Sequence, residues 1–369
     1  MTHKLLILGF SLSIALGATA QGSLEKGINA DSKGLNDLAV GYYREAVDTS
    51  AQARLRLGLL LQRMEHFNEA VRWLANADSS TTAMTHLAEC YCELRDWDAA
   101  KKAAEKALEL ADSSEHALRS SAMATLGFVY CVDENYTNAL AWAHKAEKED
   151  PSSARSINVT GIIQFYKGND NAAIQTFRKA IQTDQQNIDA YFNLGTMYCY
   201  RNHYDLAITA LKKGLKVKRN SIKLIYCLGW AYLLKGEKDN AIECLETVIR
   251  YDSSYVNAYN RLGDIYFENA EFNQAIAQYR TASRIDPKQS EAHRLMGRTY
   301  AEMGEFGKAI RCYQHAVEIN KKDAETYCRI AELYAKQKKT KQEQNNYKRA
   351  AKLGHKDAQR WCTSHGINY

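Results

Sequence analysis

Nine cysteines offer the widest range of chemistry in this sequence, because a thiol can hold a metal, form a disulfide or act as a nucleophile. They are Cys90, Cys92, Cys131, Cys199, Cys227, Cys244, Cys312, Cys328 and Cys362. No two are spaced as C-x-x-C, and an odd number argues against a complete disulfide framework. We therefore expect most of them to be small, buried hydrophobic residues.

The nearest approach to a metal motif is His86-x3-Cys90-x-Cys92, which places two types of ligand about one helical turn apart. A structural zinc site needs four ligands, and no convincing complement lies nearby in the sequence. The sequence therefore predicts neither a metal site nor a cofactor.

Catalytic motifs are absent from the sequence. It contains no H-E-x-x-H, no G-x-x-x-x-G-K and no G-x-S-x-G. Aspartates and glutamates are scattered, and no pair is set apart as an acid and a base. We expect the protein not to be an enzyme.

The strongest pattern is a repeat of 34 residues. Tyr191-x-x-Leu194-Gly195-x-x-Tyr198 returns as Ile225-x-x-Leu228-Gly229-x-x-Tyr232 and again as Tyr259-x-x-Leu262-Gly263-x-x-Tyr266. A second set of apolar residues follows each motif in the same phase, including Ala207, Ala241 and Ala275. Self-similarity at a fixed period indicates a repeat architecture.

Each period reads as two helices. Apolar residues three and four apart lie on one face of a helix, so residues 188–200 and 204–215 predict a first and a second helix packed together. Glycine inside a helix costs up to about 1 kcal/mol relative to alanine. We therefore expect the glycine of each Leu-Gly pair to mark a close approach of the two helix backbones.

This pattern resembles the tetratricopeptide (TPR) family, whose repeats carry W-x2-L-G-x2-Y, A-x3-F and P at this spacing. The resemblance implies an all-α fold, a right-handed superhelical solenoid of about ten helix hairpins with a C-terminal capping helix. It covers nearly all of residues 21–357, with units starting near residues 20, 51, 81, 120, 154, 188, 222, 256, 290 and 324. Residues 358–369 would form the capping helix and tail. Cys328 and Cys362 fall at equivalent positions, which leaves a bridge between them open.

The N-terminus has the features of an export signal. Lys4 precedes an apolar run from Leu5 to Leu16, and Ala18-Thr19-Ala20 offers small residues for cleavage. The run is short and interrupted for a membrane span, which needs roughly 20 residues. The sequence therefore predicts that residues 1–20 are a signal peptide and that the mature chain is soluble in a periplasm or outside the cell.

In TPR proteins the first helices line a concave groove that binds partner segments. In this chain, the residues that lie six and three positions before the glycine, or one and four after it, form the stripe expected to face the groove. This stripe and two adjacent arginines supply the candidate ligand-binding residues: Phe128, Asn158, Ile162, Phe165, Phe192, Tyr226, Trp230, Asn260, Arg261, Phe267, Arg294, Arg298 and Arg329. The alternative is that many of the aromatic members only pack against neighbouring helices.

Charge gives weaker guidance. A net charge of +6 is mild for 369 residues, so it does not imply a nucleic-acid partner. One basic patch lacks any acid between Ile208 and Gly236, and it includes Lys212, Lys213, Lys216, Lys218, Arg219, Lys223 and Lys235. Such runs are usually solvated faces of a helix, although this one could also make a weak contact with an acidic partner or an anionic surface.

These features predict a non-enzymatic scaffold that binds a protein or peptide segment, with no nucleic-acid partner. A role in assembly or organisation of the cell envelope is an expectation by analogy. Two other classes stay open: a structural protein that self-associates, and a module that binds glycans through its groove aromatics.

Overall fold

The structure is a computed structural model that describes residues 19–369, and every regular element in this range is a helix. The helices are α1 (residues 19–32), α2 (Asn36–Ala46), α3 (Ala51–Arg63), α4 (Phe67–Ala75), α5 (Thr81–Glu93), α6 (Trp97–Leu110), α7 (His116–Val132), α8 (Tyr136–Glu149), α9 (Ala154–Tyr166), α10 (Asp170–Thr183), α11 (Ile188–Tyr200), α12 (Tyr204–Val217), α13 (Ile222–Lys235), α14 (Lys238–Tyr251), α15 (Val256–Glu268), α16 (Phe272–Ile285), α17 (Ser290–Glu302), α18 (Phe306–Ile319), α19 (Ala324–Lys336), α20 (Thr340–Lys352) and α21 (Lys356–Ser364). The predicted all-α architecture of consecutive hairpins is confirmed.

The chain divides into two compact units, the first ending at Leu194 and the second beginning at Gly195. Within the first unit, α3, α5, α7 and α9 each pack on the even-numbered helix that follows. Within the second, α13, α15, α17 and α19 do the same. Odd-numbered helices of neighbouring hairpins also contact one another: α5 contacts α7, and α15 contacts α17. These contacts bury the apolar faces that one hairpin alone would leave in water.

The glycine of each Leu-Gly pair is a site of close contact, as the sequence predicts, but the partner is usually a side chain. A Cβ at Gly58 would lie 2.6 Å from the Leu74 side chain, and one at Gly195 would lie 2.6 Å from the Leu211 side chain. At Gly127 the nearest atom is a backbone one, the Ala139 carbonyl oxygen at 3.1 Å. The glycine therefore makes room mainly for a large residue of the second helix, since a well-packed core does not accept added volume.

The turn between the two helices of a hairpin repeats the same backbone geometry. After α11, Asn202 has φ 58° and the His203 N–H donates to the Tyr198 carbonyl over 2.8 Å. After α15, Ala270 has φ 60° and the Glu271 N–H donates to the Tyr266 carbonyl over 2.8 Å. This left-handed residue ends the helix by satisfying carbonyls that no longer have an intrahelical partner.

The first helix of one hairpin is longer than its counterparts. α7 has 17 residues and begins at His116, whereas the repeat pattern starts near Ser120. The extra turn is fixed by Glu115, whose carboxylate accepts from the Asp112 N–H over 2.8 Å and from the Thr81 hydroxyl over 2.9 Å. The longer spacing at residues 112–120 therefore corresponds to an additional helical turn at the start of α7.

At the C-terminus, α21 covers the preceding hairpin with an aromatic stack. The Trp361 ring lies 4.2 Å from that of Tyr347 at an interplanar angle of 22°, and 4.2 Å from that of His365. Cys362 and Ala358 are buried beneath it.

The signal peptide predicted for residues 1–20 lies almost wholly outside the described residues. Ala20 and Leu24, at the start of the described residues, are buried in a hydrophobic cluster that also includes Ala39 and Leu57. None of the helices within residues 19–369 combines the length and the apolar character that crossing a bilayer requires.

Candidate partner-binding surfaces

All thirteen candidate residues lie on odd-numbered helices, from α7 to α19. Phe128, Asn158, Ile162, Phe165 and Phe192 belong to the first unit, and the other eight belong to the second. We call them the first-unit surface and the second-unit surface. That they line a concave groove stays a prediction.

The aromatic residues of the first-unit surface are half-buried, with rings of their own unit close by. Phe128 meets Trp97 edge to face with ring centroids 5.9 Å apart. Phe165 lies 5.3 Å from the ring of Tyr166, whose side chain is exposed. Phe192 and Ile162 are likewise only partly covered. Such residues present apolar area to a partner at little cost in conformational entropy.

Asn158 is placed differently from these neighbours. It is 6% exposed, and its side-chain oxygen accepts a hydrogen bond from the Asn193 amide over 3.1 Å. Its side-chain oxygen is therefore already satisfied between two helices. Asn158 supports the surface rather than offering it a free hydrogen bond.

A polar cluster on four odd-numbered helices of the first unit was missed from the sequence. Its centre is Glu89 on α5, which accepts from the Ser121 hydroxyl on α7 over 2.6 Å and from the Gln62 amide on α3 over 2.8 Å. Arg155 Nε on α9 lies 3.4 Å from the same carboxylate, and His86 Nδ1 lies 3.3 Å from it. Burial alone would raise the pKa of Glu89, but Arg155, His86 and Ser121 hold that pKa well below its usual range.

The signal for this cluster was present in the repeat pattern. Ser121 and Arg155 stand six residues before Gly127 and Gly161, on the stripe that supplied the aromatic candidates. Neither residue is among the thirteen candidates. His86, which the sequence places near Cys90 and Cys92, lies beside the Glu89 carboxylate. Between residues 19 and 369 no group of three His, Cys, Asp or Glu side chains is arranged to hold a metal ion.

In the second-unit surface the aromatic residues form close pairs. Trp230 on α13 meets Tyr200 with centroids 5.7 Å apart, and Tyr226 meets Tyr255 at 5.2 Å. Tyr200 is 61% exposed, whereas Trp230 is half-buried. The Trp230–Tyr200 pair therefore offers a rigid apolar edge of the kind that anchors a partner segment.

The arginines of the second-unit surface are already paired with carboxylates. Arg298 donates to Asp264 over 3.1 Å, and Arg261 lies 3.4 Å from the other oxygen of that carboxylate. Arg329 bridges Glu325 at 2.8 Å and Glu332 at 3.1 Å. Arg294 binds the neighbouring Glu291 through Nε over 3.0 Å. Their charge is thus locally balanced and held in position.

Asp264 is the most enclosed acid of this group. Burial raises its pKa, against the opposing effects of the hydrogen bond from the Tyr279 hydroxyl and of the Arg298 charge. The hydroxyl lies 2.9 Å from Asp264 Oδ1. Asn260, one turn earlier, is 6% exposed and donates to Gln289 over 3.0 Å, while its buried side-chain oxygen has no partner among the described residues.

A cavity of about 490 Å³ opens beside these arginines, lined by α17, α18 and α19. Arg294, Arg298 and Arg329 contribute to its wall together with Glu325 and Glu332. The cavity has the volume of a small-ligand or side-chain pocket and a lining dominated by charged groups. It suits a polar or acidic side chain better than an apolar one.

The basic patch extends from α12 through the following turn to α13. Lys212, Lys213 and Lys216 are exposed on α12, an even-numbered helix. Lys212 Nζ lies 5.5 Å above the Tyr232 ring, and Lys235 is neutralised by Asp205 at 2.8 Å and Glu237 at 2.7 Å. The patch is therefore only partly separate from the candidate residues, because Lys223 and Lys235 share α13 with Tyr226 and Trp230.

Comparison with known families agrees with the 34-residue repeat. Family profiles described as "TPR repeat" match residues 161–198, 229–270, 263–304 and 297–338, and profiles described as "Tetratricopeptide repeat" match residues 82–114 and 188–221. No curated protein matches the sequence significantly.

Among solved structures, the human IFIT1 dimer with PPP-AAAA is 14% identical, covers 89% of this chain and 89% of its own, and has a TM-score of 0.56. MamA is 29% identical, covers 45% of this chain and 96% of its own, and has a TM-score of 0.40. The APC/C hetero-tetramer Cut9-Hcn1 is 14% identical, covers 94% and 91%, and has a TM-score of 0.48. The likeness to IFIT1 concerns the fold alone.

Proposed function

Because the chain belongs to the tetratricopeptide-repeat family, a family of protein-interaction scaffolds, we propose that it binds a segment of a partner protein without catalysing a reaction. The contact surface is made by the odd-numbered helices. The observation that carries this proposal is the Trp230–Tyr200 pair, 5.7 Å between centroids, on a surface that continues within the same unit to paired arginines.

The second-unit surface favours a segment with an apolar part followed by polar or acidic residues. Apolar side chains of the segment would pack on Trp230 and on the exposed ring of Tyr200. Acidic ones would enter the charged cavity beside Arg294 and Arg329. Because these arginines already hold carboxylates, an incoming acid would exchange for a neighbouring glutamate rather than meet a free cation. Selectivity for acid would therefore be moderate.

The first-unit surface would add apolar contacts through Phe128, Phe165 and Phe192. The basic patch of α12 and α13 would contribute at most a weak contact with an acidic partner or an anionic surface, sensitive to salt. Neither contact involves nucleic acid in this proposal.

We further propose that the protein works outside the cytoplasm, in assembly or organisation of the cell envelope. The support is the sequence of residues 1–20, which has the charge, apolar run and small residues of a signal peptide. N-terminal sequencing of the protein recovered from its own cells tests this, since export with cleavage predicts a chain that begins at Gln21.

The function is tested by capturing partners from the producing cell's envelope and mapping the bound segment with peptides. Trp230→Ala should weaken the segment's affinity by roughly 2 kcal/mol, the level of an anchor residue. Tyr251→Ala is the matched control, because Tyr251 is an aromatic residue, 54% exposed, on an even-numbered helix. Equal affinities for the two folded variants would contradict the proposed surface.

A further inference from the structure

Two buried thiols of the second unit lie in contact. Cys199 near the end of α11 is 2% exposed, and Cys227 on α13 is 3% exposed. The Thr196 hydroxyl, one helical turn before Cys199 on the same face of α11, lies 3.5 Å from the Cys227 sulfur, so this face of α11 brings Cys199 close to Cys227 on α13. Neither thiol forms a disulfide in the structure.

Their contact differs from the surroundings of the other cysteine pair raised by the sequence. Cys328 and Cys362 are both buried in the C-terminal core, where the Cys328 thiol donates to the Glu332 carboxylate over 3.9 Å. Cys199 and Cys227 instead lie where α11 meets α13 beside Thr196, and their interaction shifts the pKa of both thiols. Proximity of the two sulfurs is the first requirement for a disulfide.

We propose that Cys199 and Cys227 form a disulfide under oxidising conditions, which makes this thiol pair a covalent modification site within the second unit. The oxidant is another disulfide, either a small one or the active-site disulfide of an exchange protein. This inference does not depend on the binding function proposed above.

The reaction is thiol–disulfide exchange in two steps. The Cys227 thiolate attacks one sulfur of the oxidant R–S–S–R, forms a mixed disulfide and releases RS⁻, which takes up a proton as RSH. The Cys199 thiol then loses its proton and attacks the Cys227 sulfur, expelling the second RS⁻. Two cysteine thiols are oxidised, one oxidant disulfide is reduced to two thiols, and no other reactant is needed.

The environment favours Cys227 as the first nucleophile. The hydrogen bond from Cys199 lowers the pKa of Cys227, and the same bond raises that of Cys199. The thiolate that attacks an oxidant is therefore the one that Cys199 and Thr196 stabilise. The Cys199 thiol gives up its proton only after the mixed disulfide has formed.

Burial controls the rate of the reaction. A disulfide reagent reaches either sulfur only when α11 and α13 open locally, so oxidation is slower than at an exposed thiol. The same burial shields the finished bond from external thiols. The bond would close the loop of residues 199–227 and fix the helix that carries Tyr226 and Trp230.

The full-length protein is incubated with oxidised glutathione, its remaining thiols are blocked with N-ethylmaleimide under denaturing conditions, and its peptides are mapped by mass spectrometry. The expected product is a cross-linked Cys199–Cys227 peptide pair, lighter by two hydrogen atoms and separated by dithiothreitol. Recovery of both residues as N-ethylmaleimide adducts or as glutathione mixed disulfides, at oxidant levels that leave the fold intact, would overturn the proposal.

A thermal measurement on variants gives a second readout. Oxidation should raise the melting temperature of the wild type and of Cys312→Ala, a control at a half-buried cysteine outside the pair. It should leave Cys227→Ala and Cys199→Ala unchanged, because the loop constraint is then missing. An equal rise in the pair variants would contradict the assignment even if the cross-linked peptide were found.

Discussion

The guanidinium of Arg298 lies 4.1 Å from the centre of the Phe267 ring while it donates to Asp264 over 3.1 Å. One side chain of α17 is thus fixed by two residues of α15 through a cation–π contact and an ion pair. The relationship couples the aromatic and the charged parts of the second-unit surface. Disturbing it should therefore change both stability and electrostatics.

Arg298→Ala should lower the free energy of unfolding by about 1–2 kcal/mol, because it removes the ring contact and leaves the enclosed Asp264 carboxylate with fewer partners. It should also raise the pKa of Asp264 further, since the Arg298 charge opposes the effect of burial. Urea unfolding and an NMR titration of Asp264 measure the two effects. Arg250→Ala on α14, at an exposed arginine, is the control and should change neither.

Gly263→Ala should destabilise the second unit by about 1–2 kcal/mol, because the added Cβ would lie 2.7 Å from Cδ1 of the Tyr279 ring. Gly41→Ala on α2 makes the same chemical change where no atom lies within 4 Å. It should stabilise the protein by up to about 1 kcal/mol through helix propensity. Thermal unfolding followed by circular dichroism compares the two, and the same sign for both would contradict the packing argument.

Ala270→Gly should raise the free energy of unfolding by about 0.5–1 kcal/mol, because Ala270 is held at φ 60°, where a Cβ is strained. Gly236→Ala is the reverse experiment at a turn with φ 87°, and it should destabilise by a similar amount. Denaturant unfolding of both variants against the wild type measures the effect. A loss of stability in Ala270→Gly would show that strain at the positive φ of Ala270 does not determine the effect of the substitution.

Glu89→Gln should reduce stability by about 2 kcal/mol at neutral pH, because Arg155 loses its carboxylate partner. The pKa of Glu89 is lowered on folding, so its stabilising effect is present above the ordinary value of about 4.5. This contribution is lost as the pH falls toward the lowered pKa. Stability measured from pH 7 down to pH 3 should therefore fall less steeply in Glu89→Gln than in the wild type.

Glu318→Gln is the control for that experiment, since Glu318 is a largely exposed glutamate with a single histidine neighbour on the same helix. Its pH dependence should match that of the wild type. Parallel curves for wild type and Glu89→Gln would mean that the Glu89 cluster contributes no stability linked to its titration.

The sequence was sufficient to predict the helices because one 34-residue period imposes the same pairing many times. Tyr279, Gly263 and Ala275 each occupy a position that the period repeats elsewhere. In the structure Gly263 lies against the Tyr279 ring, and Tyr279 and Ala275 belong to one buried cluster. Local spacing determines such contacts, so they can be read without knowing the arrangement in space.

The candidate surface was harder to predict, since the spacing gives the face of a helix but not the partners on that face. Asn158 and Asn260 were placed correctly on their helices, yet both are buried; Asn158 is bound to Asn193 of α11 and Asn260 to Gln289, the residue before α17. The carboxylate at Glu89 gathers donors from α3, α7 and α9, which lie far apart in the chain. The contact between Cys199 and Cys227 likewise joins positions that differ in phase within their repeats.

The hairpin turns repeat one backbone geometry with different side chains at the left-handed position. Glycine occupies the left-handed position after α9, α13 and α17, while Glu134, Asn202 and Lys338 hold the same conformation after α7, α11 and α19. Segments of the repeat array could accordingly be deleted, duplicated or exchanged at these turns without a change in the backbone geometry of the turns. Because the turns are equivalent, recombination at them could change the number of repeats in the array.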